Sequence, residues 1–409
     1  MLKAYRYRLY PTAEQAEYFA KCFGCCRIVY NRTLDYMSVF WIGGGRSVSY
    51  FDAKRQLVEL KEMYPWLSEV NSQSLQHAVK QCADGFVNWW RKGTEHPQPK
   101  RKRGRQAFHN PQHCSVDWQA GTVSIPKCRD VRARLHRRFK GMVKDLTVIR
   151  EPDGRYYVSV LVDTAEVPAA KRPVTPETTV GIDVGVHNFA VLSDGRVFSA
   201  GHFSAKAAKR LAYYQRSLRR KTKGSRSWKR TQRRIADIHG HIARQRLDRA
   251  HKITFELTHD SQVGTICIED LDIRQWMRNR HLAYDAADAA VGMFLNLLRY
   301  KCEWYGVNLL TIGRWDASSR TCSVCGAVNR SLKLGQRSWR CMSCGTVHNR
   351  DYNAAVNIRS FALRTLPSDG GEVTPADRTS VDDRRISGLR SRGGQRQESI
   401  RSATDAPVL

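Results

Sequence analysis

RTCSVCGAVNRSLKLGQRSWRCMSCGTVHNRDYNAAVNI, residues 320–358, holds two C-x-x-C pairs, Cys322/Cys325 and Cys341/Cys344. Fifteen residues separate the pairs, and Gly326 and Gly345 directly follow them. This is the spacing of a tetrahedral four-thiolate zinc ribbon, since each pair forms a tight knuckle whose turn needs a glycine. A redox C-x-x-C would leave one pair without a task. A closed four-sulfur site has no open coordination position, so the single Zn2+ expected here is scaffolding. With four thiolates present, His348 is expected on the polar surface.

With six residues between it and Cys344, Asp351 opens a helical pattern, DYNAAVNIRSFALR. Two apolar strands upstream also carry acids: VGIDVGV holds Asp183, and VGTICIED ends in Glu269. A carboxylate among branched neighbours loses hydration at a cost of several kcal/mol unless a cation or donors meet it. Taken singly these acids say little, because strand-end acids are usually solvated and Asp351 could simply cap its helix. As a set they match phosphodiester hydrolysis, in which two Mg2+ ions roughly 3.5 to 4 Å apart need acidic oxygen ligands. The order strand, strand, helix follows from bringing the third carboxylate on a helix packed against the sheet. No Walker loop, Gly-x-Ser-x-Gly elbow or nucleophile–base pair competes.

The bulk charge names the partner class. The 409 residues carry 69 Lys and Arg against 38 acids, a net charge of +31, far beyond what solubility requires. The excess is clustered: residues 204–252 contain seventeen Lys or Arg and two acids, Asp237 and Asp248. A polyanion fits, with Arg219, Arg220, Lys221, Lys229 and Arg230 as candidate nucleic-acid contacts. HPQPKRKRGRQAF, residues 96–108, is a Pro-bounded basic loop that adds Lys100, Arg101, Lys102 and Arg103. Membrane binding would want an apolar insertion face, and the region around Arg219 to Arg234 is polar nearly all round. MLKAYRYRLYP has charges where a signal peptide would be apolar, and no apolar run approaches a membrane span. Twelve cysteines in a chain this long do not make a disulfide scaffold, so a reducing, cytoplasmic setting is expected.

Elsewhere, LKAYRYRLYP suits a strand ended by Pro11, and Thr12-x-x-Gln15 opens a helix with a capping box. GGGRS at 43–47 breaks that helix. Two helical blocks follow between Ser49 and Lys92, interrupted at Pro65 and near Asn71. Trp89 and Trp90 are expected as core anchors ahead of base-stacking groups. Residues 114–163 alternate as short antiparallel strands, with a turn at Pro152-Asp153-Gly154, closing a small barrel with the first strand. VPAAKRPVTPETT is a linker. Beyond it a three-strand meander (TVGIDVGV, NFAVLS, RVFSA) precedes two basic helices broken at Lys223-Gly224-Ser225, the strand VGTICIED, a helix ADAAVGMFLNLLRYKCEWYG and the strand VNLLTI. From about Pro367 the composition is that of a disordered tail.

GIDVGVHNFAVLSDG, CIEDLDI, SSRTCSVCG and CMSCGTVHNRDYNAAVNI, in this order, resemble the TnpB (OrfB) family of transposon-encoded nucleases, relatives of the type V CRISPR effectors. The resemblance runs from RYRLYPTAEQ to the closing helix. It implies an α/β RNase H-like (RuvC) nuclease domain over 173–316 and 350–366 with a zinc-ribbon insert at 317–349. It further implies an N-terminal β-barrel wedge domain over 1–48 and 109–172, a helical recognition insert with basic loop over 49–108, and a tail over 367–409. Asp183, Glu269 and Asp351 fall on the family's three catalytic acids. Tyr50 and Gln76 fall in the region that reads a short motif beside the DNA target. The implied partners are a guide RNA from the transposon end and double-stranded DNA, bound by a monomeric protein in a nucleoid-associated prokaryotic ribonucleoprotein. Two departures stand out: His187 where a lysine is common, and PKRKRGRQAF without the usual Pro-x-Phe pattern. An actin-type ATPase would need a second glycine-rich phosphate loop, which ICIEDLDI does not offer. A catalytically idle guide-dependent regulator would explain charge and cysteines and leave three buried acids without purpose.

Overall fold

Tyr5, Tyr7 and Leu9 alternate with basic residues and are buried on one face of strand β1 (Leu2–Tyr10). After Pro11 the capping box forms: Gln15 N donates to Thr12 Oγ1 at 3.3 Å, and Thr12 N donates to Gln15 Oε1 at 3.0 Å. Helix α1 (Ala13–Gly44) follows, then α2 (Tyr50–Met63), a 3-10 turn (Pro65–Glu69) and α3 (Ser72–Lys92). The computed structural model describes residues 1–44, 48–103, 105–259, 262–333 and 335–365; the expected tail, 367–409, lies outside them.

Strands β2 (Gln106–Asn110), β3 (Ser115–Asp117), β4 (Thr122–Ile125), β5 (Cys128–Arg134), β6 (Met142–Arg150) and β7 (Tyr156–Asp163) join β1 in a seven-stranded sheet. Its order is β2-β6-β7-β1-β5-β4-β3, with every ladder antiparallel. Among the described residues the ladders end at β2 and β3, leaving two short edges where a closed barrel was expected. Phe19 and Phe23 of α1 pack on Phe108 of β2 at 5.8 and 5.2 Å, so helices and sheet share one apolar core. β2 begins at Gln106, inside the segment expected to be insert. Trp89 and Trp90 pack against this core together with Trp41 and Phe86.

The second half opens with the meander β8 (Thr179–Val184), β9 (Asn188–Leu192) and β10 (Val197–Ser199). Helices α4 (Phe203–Arg219) and α5 (Arg226–His259), strand β11 (Thr265–Glu269), helices α6 (Ile273–Arg278), α7 (Ala283–Ala289) and α8 (Val291–Trp304), and strand β12 (Asn308–Ile312) follow. The hairpin of β13 (Ser338–Arg340) and β14 (Val347–Asn349) leads into α9 (Arg350–Arg364). The five-stranded sheet runs β10-β9-β8-β11-β12, antiparallel through the meander and parallel from β8 to β12.

ADAAVGMFLNLLRYKCEWYG is not one helix. The chain turns through left-handed Ala290 (φ 54°) between α7 and α8. Buried Asp288 accepts from Ser204 N at 3.0 Å and Arg246 Nη2 at 2.8 Å just ahead of that turn. A tertiary polar contact thus replaces helical continuity.

Alternation assigns the faces of this sheet. Val180, Ile182, Ile266 and Ile268 share a core with residues of α5 and α8, whereas Cys267 and Ile312 pack with Ile358 and Ala362 of α9. α9 lies so close to β8 that a Cβ on Gly181 would stand 2.1 Å from Ala355 O. Gly181, Ala354 and Ala355 are small because the helix backbone rests on the strand.

The two halves meet at the β6–β7 turn. Asp153, with its side chain fully buried, accepts from Arg244 Nη1 of α5 at 2.7 Å, and Gly240 leaves room for it. Beside this contact, between β1 and helices α5 and α8, runs a groove of about 1460 Å³ lined by Arg6, Arg8, Arg137, Tyr157, His251 and Lys301, among others.

Candidate active site and metal centre

The parallel register of β8 and β11 pairs Gly181 with Cys267. Two residues further along each strand stand Asp183 and Glu269, which period two places on the same face as Gly181 and Cys267, the face covered by α9. Asp351 lies in the first turn of α9, whose N-cap Asn349 accepts from Asp351 N and Tyr352 N, both at 3.1 Å. The structure therefore brings the three acids to one end of one sheet face.

Their electrostatics record the proximity. Burial, reinforced by Glu269 and then Asp351, pushes the Asp183 carboxyl up to about 8. Burial also pushes Glu269 up, against the pull of the Ser318 hydroxyl that donates to its Oε1. Asp351 is engaged on both oxygens: Arg337 Nη1 donates to Oδ1 at 3.1 Å, and Asn188 Nδ2 to Oδ2 at 3.4 Å. Arg337, just ahead of β13 in the ribbon, thus reaches the third acid itself. Like charges crowded in a desolvated place favour a bound cation, and all-oxygen donors suit a hard divalent ion. Their oxygens stand wider apart than the thiolates: among the described residues, the cysteines alone converge within 4.8 Å.

In the ribbon, Cys322 Sγ lies 3.6 Å from Cys344 Sγ, and Cys325 Sγ lies 3.5 Å from Cys341 Sγ. Thiolates on one tetrahedral zinc stand about 3.8 Å apart, so the tetrad fits Zn2+. Gly326 and Gly345 take left-handed φ of 76° and 75°, closing each knuckle. Thr346, 3.2 Å from Cys344 Sγ, holds that thiol down at about 6, toward the thiolate a metal needs.

His348 corrects the reading of the sequence. It is buried, not on the surface, with Nε2 3.0 Å from Cys322 Sγ and its ring 4.8 Å from buried Trp339. Burial lowers its pKa, and a neutral ring there would suit an outer hydrogen-bond partner of Cys322 were the tetrad to hold a metal.

Residues with no motif signal connect the two centres. Buried Asn353 and Asn357 on α9 donate to Thr321 O at 2.7 and 2.6 Å and to Ser318 O at 3.4 and 2.7 Å. Asn353 Oδ1 accepts from Ser323 N at 3.0 Å, next to Cys322. The first knuckle, the start of α9 and the Ser318–Glu269 contact are one hydrogen-bonded unit. NAAVN shows only helical spacing, so the partners of its asparagines could not be read from the sequence.

The expected nucleic-acid contacts divide. Arg101, Lys102, Arg103, Arg219, Arg220, Lys229 and Arg230 are exposed. Lys100 is half-buried: its ammonium lies 4.1 Å from the Tyr30 ring centroid and bonds Gln81, while its backbone N donates to Asn31 Oδ1 at 2.8 Å. Lys221 Nζ is turned back to Thr231 Oγ1 at 2.5 Å. Tyr50 and Gln76 are half-buried, Tyr50 at the start of α2 and Gln76 in α3.

Family models match three segments: "Helix-turn-helix domain" of the OrfB_IS605 group over 1–41, "Probable transposase" (OrfB_IS605) over 158–280, and "Cas12f1-like, TNB domain" over 292–358. The first segment is, in this structure, a strand and one long helix. A Streptomyces pristinaespiralis protein and Escherichia coli InsQ, both named "Putative RNA-guided DNA endonuclease", are 34% and 31% identical to the chain, covering 100% and 92% of it and 98% and 96% of their own lengths. The cryo-EM structure of a Cas12f1–sgRNA–target DNA complex superposes with a TM-score of 0.54 at 15% identity, covering 88% of this chain and 98% of that one, a likeness of fold. With a relative 34% identical and matched over 98% of its length, the chain belongs to the TnpB (OrfB) family.

Proposed function

We propose that the chain is an RNA-guided DNA endonuclease of a transposable element, in which Asp183, Glu269 and Asp351 hold two Mg2+ ions and the four cysteines hold one structural Zn2+. The observation that carries this reading is the convergence of three acids from β8, β11 and α9, with Asp183 pushed up to about 8 by burial and its two acidic neighbours. The names borne by the full-length relatives support it.

Bound divalent ions would supply polarisation of the scissile phosphate and a lowered pKa for the attacking water. Asp183 and Glu269 on their strands and Asp351 at the helix start would hold such ions. Ser318 would orient Glu269, and Arg337 would exchange its contact with Asp351 for one with phosphate as ions enter. The basic groove between the halves and the exposed arginines of α4 and α5 would carry guide RNA and target DNA. The N-terminal sheet acts as the wedge, and α2 and α3 with Tyr50 and Gln76 face the motif beside the target. Among the described residues no helix is long and apolar enough to cross a membrane, and we place the enzyme, one chain per ribonucleoprotein, in the cytoplasm on the nucleoid.

The test is cleavage of a matched plasmid target by the purified ribonucleoprotein in Mg2+. Asp183→Ala should lower the rate by at least about 100-fold, several kcal/mol of transition-state stabilisation, while guide and target binding persist. Cutting at the wild-type rate would exclude this assignment of the site.

A further inference from the structure

Between β12 and the first knuckle the chain makes a short loop that is tied down at both ends. Asp316 N donates to Gly313 O at 3.2 Å, and Asp316 Oδ2 accepts from Gly313 N at 2.8 Å, closing a tight turn. Arg314 Nη2 bonds Asp270 Oδ2 at 2.9 Å, one residue after Glu269, and Ser318 at the far end donates to Glu269 itself. At the tip stands Trp315, 92% exposed. Of the ten tryptophans in the chain none of the others exceeds 39%. Among the described residues no ring or hydrogen-bond partner of its indole is found. Single exposed apolar residues are ordinary on protein surfaces. A loop built with this many polar ties to hold its largest apolar side chain in water is not.

Position and charge narrow the occupant. Trp315 and Ser318 are three positions apart, so their Cα atoms lie within about 11 Å of each other, which puts the loop tip close to the residue that donates to Glu269. The loop is rich in acids: Asp316 follows Trp315 and acts on Glu269, while Asp270 and Asp272 are paired with Arg314, the residue before Trp315. A phosphate would be repelled there, whereas the uncharged face of a base would not.

We propose that Trp315 is a stacking platform for a base of the single-stranded DNA entering the Asp183–Glu269–Asp351 site, holding the strand by its base so that the neighbouring phosphate reaches the acids. The proposal rests on the nuclease reading above. It adds a substrate contact that depends on no pairing with the guide, and it applies to either DNA strand once unpaired.

The test uses the full ribonucleoprotein and DNA targets carrying 2-aminopurine at successive positions around the cut. In an Asp183→Ala background, which keeps the DNA whole, stacking on Trp315 quenches the probe at one or two adjacent positions. Adding Trp315→Ala restores that fluorescence, and Trp315→Phe keeps most of the quench. In the cleaving enzyme Trp315→Ala slows cutting roughly tenfold, the loss of one stacked base, or spreads the cut over neighbouring phosphates, with an unchanged melting temperature. An identical quench pattern, rate and cut position in Trp315→Ala would overturn the proposal. Failure of the nuclease reading is separate, since it would appear as cutting that survives Asp183→Ala.

Discussion

The cysteine clip and the acid cluster are close along the chain, with six residues between Cys344 and Asp351, and they are built in opposite ways. The clip takes its four donors from residues 322–344, each in a glycine-closed knuckle, and its sulfurs already converge within 4.8 Å. The acid site takes its donors from β8, β11 and α9. There other side chains meet the carboxylates: Arg337 donates to Asp351 and the Ser318 hydroxyl to Glu269. Soft thiolates in a local loop make a closed site that organises its own fold. Carboxylates assembled by tertiary structure crowd one another under mutual repulsion, which two divalent ions would relieve under the proposed function. The asparagines of α9 make the first a support for the second.

The sharpest way to break this comparison is to remove a thiolate. Zinc binding of such sites is worth about 10–16 kcal/mol of folding free energy, so Cys341→Ser should empty the clip, loosen the start of α9 and abolish cutting. Zinc content, proteolysis of the ribbon and cleavage measure the three effects, and a zinc-free protein that still cuts would uncouple the centres. A smaller effect is expected at the link. Ser318→Ala should slow cutting by about 10- to 100-fold, as outer-shell losses do, and raise the Mg2+ needed for half-maximal rate, with one zinc per chain retained. Ser318→Thr, which keeps the hydroxyl, should restore most of the rate; an alanine variant with wild-type Mg2+ dependence would remove Ser318 from the account. The mildest effect is on pH. Protons and ions compete for Asp183, which sits near 8, so half-saturating Mg2+ should fall as pH rises from about 6 to 8 and level above that. The clip should keep its zinc throughout; a flat Mg2+ profile would mean that Asp183 is not a ligand.

The same contrast explains what could be read from the sequence. C-x-x-C-G twice, the capping box at Thr12 and the alternation of β1 are local patterns with local causes, and each appears where its spacing places it. Asp183 and Glu269 stood out in the sequence only as a set with Asp351, since one acid at a strand end is usually just solvated. Their shared face follows from period two once the strand pairing is known. What escaped was set by partners distant in the chain. His348 turns inward to Cys322, Lys100 folds over Tyr30, and the helix expected through Ala290 breaks beside the buried Asp288 contact. Ser318, Asn353 and Asn357 are ordinary polar residues until α9 is laid on the sheet.

The most direct measurement is of ions at the acid site. Crystals of the full chain with its guide RNA, soaked in Mn2+ as a scattering stand-in for Mg2+, should show anomalous density bounded by the carboxylates of Asp183, Glu269 and Asp351, lost in Asp183→Ala. Anomalous density elsewhere with none among these three acids, in protein that Mn2+ renders active, would contradict the account.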